Sequence, residues 1–133
     1  TTLSDQEALI VARGKEAYVV MNLYPYNAGH LLVCTNRHVA ELTELTVSER
    51  NEVSELTSKA MKVLRHVSNA AGFNIGMNQG SVSGAGIAGH LHQHVVPRWA
   101  GDANFMPIIG KTKVLPQLLQ ESRAQLAAGW NQI

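Results

Sequence analysis

Apolar residues come in short runs over the first third of the chain. Ala8-Leu9-Ile10-Val11-Ala12 and Ala17-Tyr18-Val19-Val20-Met21 flank Arg13-Gly14-Lys15. Two β-rich runs about a glycine turn predict a hairpin. Residues 22–29 are a turn-rich connection around Pro25, and His30-Leu31-Leu32-Val33-Cys34 predicts a third strand. Over residues 44–68 the period changes. Val53, Leu56, Ala60, Val63 or Leu64, and Val67 step by three or four, while Glu49, Glu52, Glu55, Lys59 and Lys62 lie mostly on other faces. That is an amphipathic helix. Thr46 or Ser48 is the expected N-cap, and Ala71-Gly72 the expected end.

Residues 73–78 predict a short strand, 80–89 a loop with four glycines, and 90–97 an alternating strand. Leu115, Leu118, Leu119 and Leu126 predict a second helix over 115–127, with Pro116 in its first turn. About five strands and two helices, out of regular alternation, predict an α+β fold. The expected architecture is an antiparallel sheet of about five strands with one long central helix and a C-terminal helix.

Composition narrows the function classes. The 133 residues make one domain, 1–133, and 45% hydrophobic against 16% charged residues fits a packed core. No run approaches the roughly 18 apolar residues of a membrane helix. The first residues carry no basic stretch followed by an apolar core, so no signal peptide is expected. The absence of an initiator Met leaves room for a removed upstream segment. A net charge of +1 excludes a strongly basic nucleic-acid binder but not a small anionic ligand. The single cysteine, Cys34, excludes an internal disulfide and a CxxC metal site. It is expected to be inert core, and a reducing cytoplasm is the default compartment.

The chemistry sits in the histidines. Three of the six occupy positions 90, 92 and 94. On a strand these point to one face, with Leu91, Gln93 and Val95 on the other. Buried imidazoles need partners, so three together call for a reason. Three readings compete. Three imidazoles bind zinc with an open fourth position, but rings at this spacing converge poorly on one ion. The nearest carboxylate, Asp102, lies eight residues beyond His94. A polar face with incidental histidines is the second reading. The third is nucleophilic catalysis, one imidazole attacking while a neighbour sets its tautomer. The preceding run Gln79-Gly80-Ser81-Val82-Ser83-Gly84-Ala85-Gly86 favours the third. Glycines there let backbone N–H groups approach phosphate oxygens, and Ser81 and Ser83 add hydroxyls. Gly110-Lys111-Thr112 lacks the earlier glycine of a Walker loop.

His90-Leu91-His92-Gln93-His94-Val95-Val96 resembles the histidine-triad pattern His-φ-His-φ-His-φ-φ, where φ is apolar. Pro97-Arg98 looks like the fragile-histidine-triad branch, as does the upstream Asn22, Pro25, Gly29, His30-Leu31-Leu32-Val33 spacing. Trp99, Asp102, Asn104 and Phe105 are similar to the superfamily's phosphorylases of diadenosine tetraphosphate. The resemblance implies an antiparallel five-stranded sheet and a homodimer or higher homo-oligomer. It implies an adenine nucleotide or dinucleoside polyphosphate as ligand, with inorganic phosphate as acceptor. Nucleic acid and membrane are not expected partners. No cofactor is required, and a divalent cation enters only as a substrate counter-ion.

By the same resemblance His92 attacks the α-phosphorus, giving a nucleotidyl-histidine. His94 bonds a phosphate or bridging oxygen, His90 orients the nucleophile and His30 sits behind the triad. Asn22 holds the ribose, and Gln79 the polyphosphate. Ser83, Gly84, Ala85 and Gly86 offer donors to phosphate, although Gly86 replaces a glutamine of the branch. Gln93 is polar where φ is expected, and on the reverse face it would meet a helix or a partner chain. From its type alone Trp99 would stack on a base or close the site, against a strand-end aromatic as the plain alternative. Arg98 is a phosphate contact or a rim residue, while Asn27 serves the turn around Pro25. The expected activity is a phosphorylase giving ADP and ATP from diadenosine tetraphosphate. Hydrolysis of diadenosine triphosphate or an adenosine phosphoramidate is the alternative, and a nucleotide-sensing binding protein the reading from another class.

Overall fold

Strand alternation decides which face of the sheet is dry. In the computed structural model, which describes residues 3–83, 89–102 and 116–133, five strands pair antiparallel in the order β1-β2-β3-β5-β4. They are β1 (Ile10–Arg13), β2 (Ala17–Met21), β3 (Leu31–Thr35), β4 (Gly72–Met77) and β5 (His92–Arg98). Ala17, Val19, Leu31, Val33 and Val95 are buried on one face. Helix α1 (Val47–Ser68) closes that face with Val53, Ala60, Val63 and Leu64. Helix α2 (Pro116–Trp130) packs on α1 and β1 and adds Leu119, Leu126 and Trp130 to the core. The intervening Tyr18, Leu32, Cys34, His92 and His94 are therefore turned to the other face. Pairing sets Leu32 opposite His94 and Cys34 opposite His92.

The predicted elements are all present among the described residues, with instructive shifts. β1 begins at Ile10 rather than Ala8, because Leu9 takes a left-handed φ of 62° and a bulge follows between Ile10 and Ala12. Thr46 caps α1 in a reciprocal capping box with Glu49. The Arg37 guanidinium, before the Thr46 N–H, holds the Glu49 carboxyl down to about 2. The helix ends at Asn69, left-handed at φ 56°, not at Ala71-Gly72. Asparagine tolerates that conformation, so Gly72 is released to begin β4. Gln93 meets the helix, its amide donating to Thr57 Oγ1 at 2.9 Å.

The two helices cross closely at Gly129, where an added Cβ would overlap Val67 Cγ2. Gly129→Ala is expected to destabilise the fold by about 1–3 kcal/mol despite alanine's better helix propensity. Urea unfolding of the two proteins checks this, and an unchanged midpoint would refute the close crossing.

Candidate active site

The site is built backwards from a buried ring. Gly29, at φ +82°, turns the chain into β3 and delivers His30, which is fully buried. The Tyr26 backbone N–H donates to His30 Nδ1 at 3.1 Å. That nitrogen is thereby an acceptor, and the ring proton belongs on Nε2. Nε2 lies 2.9 Å from His94 Nδ1 and donates to it. His94 in turn keeps its proton on Nε2. Burial, then the neighbouring His94 and His92, pushes His30 down to about 3. Burial and His92 also lower His94. Both rings are neutral near pH 7.

His92 carries the opposite tautomer. Its Nδ1–H donates to the His90 carbonyl at 2.9 Å, which leaves Nε2 with a lone pair. The His92 and His94 rings stand 5.1 Å apart at 68°. A lone-pair nitrogen and an N–H donor are thus presented side by side. Attack on an electrophile and stabilisation of the oxygen it displaces need that combination.

The third triad member is not an equal partner. β5 begins at His92, two residues later than the sequence pattern predicts. Leu91 N–H leaves the sheet to bond the Val39 carbonyl, and Leu91 packs with Val39 and Leu45. The His90 ring also lines the larger of the two clefts beside His94, but its Nε2 is spent on the Thr35 carbonyl at 2.9 Å. His90 thus orients His92 through its backbone oxygen, not its imidazole. Three parallel rings on one strand face, as the spacing alone suggests, do not form. Among the described residues no three-histidine zinc geometry forms, since His90 Nε2 is given to the Thr35 carbonyl and His94 Nδ1 to His30.

Two clefts flank His94. The larger, about 760 Å³, has Val20, Leu32 and Cys34 as its floor, Asn22 and Tyr24 on one side and His92 on the other. The smaller, about 630 Å³, opens on the β4 side over Asn74, Gly76, Val96 and Arg98. Tyr26, Asn78 and His94 belong to both. Cys34 corrects its expectation in part: it floors the larger cleft, across from His92, and burial pushes its thiol up to about 11. It is unreactive, as expected, but on the ligand face.

Of the other expected residues, Asn22 lines the larger cleft, its Oδ1 accepting the Tyr24 N–H at 3.0 Å. Gln79 does not line either cleft: its Oε1 accepts the Leu42 N–H at 2.6 Å, which ties the loop to the 3-10 turn Leu42–Glu44. Its neighbour Asn78 takes the cleft position. The period of two gives the reason, since Gly76 pairs with His94 and Asn78 follows it by two. Ser83 sits in the 3-10 turn Ser81–Ser83, its hydroxyl donating to the Gly80 carbonyl at 2.8 Å, and lines neither cleft. Gly84, Ala85 and Gly86 lie outside the described residues.

Trp99 is a strand-end aromatic and not a cleft residue: its Nε1–H donates to the Ser68 carbonyl at 3.0 Å and its ring packs on the core. The cleft aromatics are Tyr18, Tyr24 and Tyr26, which no motif singled out. Arg98 lies at the rim, its guanidinium held by Asp102 at 3.1 Å and by Asn74 Oδ1 at 2.6 Å. Asp102 also accepts from the Trp99 N–H and from Asn27 Nδ2, so it staples the 22–29 turn to the end of β5. The Arg98 hydrogen bond, then the Trp99 N–H, holds its carboxyl down to about 2.

The HIT domain family model matches residues 4–101. AP-4-A phosphorylase of Mycobacterium tuberculosis (strain ATCC 25618 / H37Rv) is 56% identical over 128 residues, 96% of this chain and 66% of that protein. The asymmetrical bis(5′-nucleosyl)-tetraphosphatase of Schizosaccharomyces pombe is 34% identical over 90 residues, 68% of this chain and 49% of that one. The chain spans less than two thirds of the length of either relative. Among solved structures, a Zn-bound histidine triad family protein from Mycobacterium smegmatis superposes with a TM-score of 0.77 at 25% identity, covering 94% of this chain and 85% of that one. Plasmodium falciparum diadenosine triphosphate hydrolase shares the fold, with a TM-score of 0.83 at 18% identity over 98% of this chain and 80% of that one.

Proposed function

The chain belongs to the HIT domain family, and from that premise we propose that it cleaves dinucleoside polyphosphates at the α-phosphorus through a nucleotidyl-His92 intermediate. Diadenosine tetraphosphate is the proposed substrate and inorganic phosphate the acceptor. The observation that carries the reading is the pair of opposite tautomers, with the His92 Nδ1–H spent on the His90 carbonyl and His94 Nδ1 occupied by His30.

His92 Nε2 attacks the α-phosphorus, and the bond from phosphorus to the bridging oxygen breaks. The departing ATP takes the electron pair. A polyphosphate terminus is a weak base, so a hydrogen bond from His94 Nε2–H to the departing oxygen suffices. A phosphate oxygen then attacks the adenylyl-histidine, releasing ADP and restoring the free imidazole. The apolar floor of the larger cleft suits a base, and the amide of Asn22 a ribose. No resident cofactor enters these steps, and a divalent cation arrives only as the counter-ion of the polyphosphate.

The phosphorylase choice rests on the mycobacterial relative, named AP-4-A phosphorylase, at 56% identity. A homodimer is part of the proposal: β4 ends the sheet with Asn74, Ile75 and Gly76 exposed, an edge that a second copy can extend. So is a cytoplasmic setting, which the free buried Cys34 suits. No helix among the described residues is long and apolar enough to cross a membrane.

Product analysis with diadenosine tetraphosphate tests the reading. ADP and ATP are expected in equal amounts and only with millimolar phosphate. AMP and ATP formed without phosphate would replace phosphate by water as the acceptor.

A further inference from the structure

The smaller cleft has no role in the chemistry described so far, and one residue in it is conspicuous. Gly76 lies inside β4, an element in which glycine is unfavourable. No backbone strain explains it, since it is not among the positive-φ glycines. Crowding does not explain it either, because an added Cβ would meet no atom within 4 Å. It faces the ligand side directly across from His94. Such a strand glycine often marks a place where a ligand or another backbone comes close, and unlike Gly72 of the same strand Gly76 lines a cleft.

The in-line geometry of phosphoryl transfer says which ligand. The leaving oxygen departs on the side of phosphorus opposite the nucleophile. His92 lines only the larger cleft, whereas His94, the donor to the departing oxygen, lines both. A chain attacked by His92 in the larger cleft therefore leaves past His94 and over Gly76. There it meets a space of about 630 Å³, within the roughly 300–1,000 Å³ of small-molecule sites and far larger than inorganic phosphate needs. Tyr26 and Val96 give it apolar surface, and Asn74, Asn78 and Arg98 give it polar groups. That mixture fits a nucleoside with attached phosphates.

We propose that the cleft over Gly76 is the subsite for the leaving nucleotide, the second nucleoside of the dinucleotide, and that Gly76 keeps it open. The inference rests on the nucleotidyl-transfer reading above. It makes Gly76 a determinant of preference for dinucleotides over mononucleotides.

The test is calorimetric binding to wild type, Gly76→Ala and Gly76→Leu. The probes are AMP and a non-cleavable methylene-bridged analogue of diadenosine tetraphosphate. Wild type should bind the analogue at least about tenfold more tightly than AMP, as a second filled pocket predicts. Gly76→Leu should reduce that advantage at least about fivefold, Gly76→Ala less, with AMP affinity changed under about twofold. Thermal melting should show all three proteins folded, since a Cβ added at Gly76 meets no atom of this chain within 4 Å. Equal weakening of both probes, or an unchanged analogue, overturns the subsite while leaving nucleotide binding intact. A changed oligomeric state with both affinities unchanged also overturns it and gives the cleft to a second copy. Failure of wild type to bind either probe overturns the nucleotide reading, and the subsite with it.

Discussion

His92→Ala is expected to lower kcat for diadenosine tetraphosphate, the proposed substrate, by roughly 10⁴-fold or more, with KM changed only a few-fold. The split follows from the geometry. The nucleoside side of the larger cleft, with Val20, Leu32, Asn22 and Tyr24, does not depend on His92. What is lost is the only nitrogen in the pair that carries a lone pair facing substrate, because His94 Nδ1 is taken by His30 and its Nε2 holds a proton. His94 therefore cannot take over the attack without breaking its buried hydrogen bond. His94→Ala is a milder change, roughly 10²- to 10³-fold, the range for removing one donor to a developing oxyanion. Rapid quenching under basic conditions, with substrate labelled in the α-phosphate, should trap label on wild-type protein. Phosphoramidates survive base and are lost in acid. His92→Ala should trap none. Full activity in that variant would remove His92 as the nucleophile, whatever the products.

Much of this was legible in the chain, for physical reasons. Helix α1 announces itself because a 3.6-residue period must repeat over many turns to bury one stripe. The sheet was legible because one of its faces is dry. Its alternation placed Gln93 on the helix side, where Thr57 receives it. The histidine pattern put His92 and His94 on one strand face, and the structure has both lining the larger cleft. What failed to show was anything decided by a partner distant in sequence. His90 leaves the strand because Val39 and Thr35 offer carbonyls to Leu91 and to its ring. Gln79 leaves the cleft because Leu42 offers an N–H. The parity that puts Asn78 in its place was present in the sequence but needed the register of β4 to be read. Trp99 illustrates the same limit, since the Ser68 carbonyl that fixes it lies 31 residues away.

The buried ring behind the triad makes the acid limb of stability the second large effect. His30 titrates at about 3 in the folded protein, against 6.5 for the free side chain. Above pH 6.5 neither state holds the extra proton. Between pH 6.5 and about 3 the unfolded chain takes it up and the folded chain refuses it, so stability falls as pH falls through that window. At pH 5 the loss from His30 alone is about 2 kcal/mol. His94, also lowered, adds to it in the same direction. Glu49 and Asp102, each held down to about 2, lose their stabilising charge only as pH drops below their ordinary values of 4.5 and 3.8. The slope between pH 6.5 and 5 therefore belongs to the histidines. Denaturant unfolding at intervals across that range should show it, and His30→Gln should flatten it. A second variant, His30→Leu, leaves no group that can donate to His94 Nδ1 and so removes the contact that fixes the His94 tautomer. Its kcat should fall about 10- to 100-fold with KM nearly unchanged, and its pH–rate profile should shift. A merely structural role would lower stability at every pH and leave the profile of the surviving activity where it was.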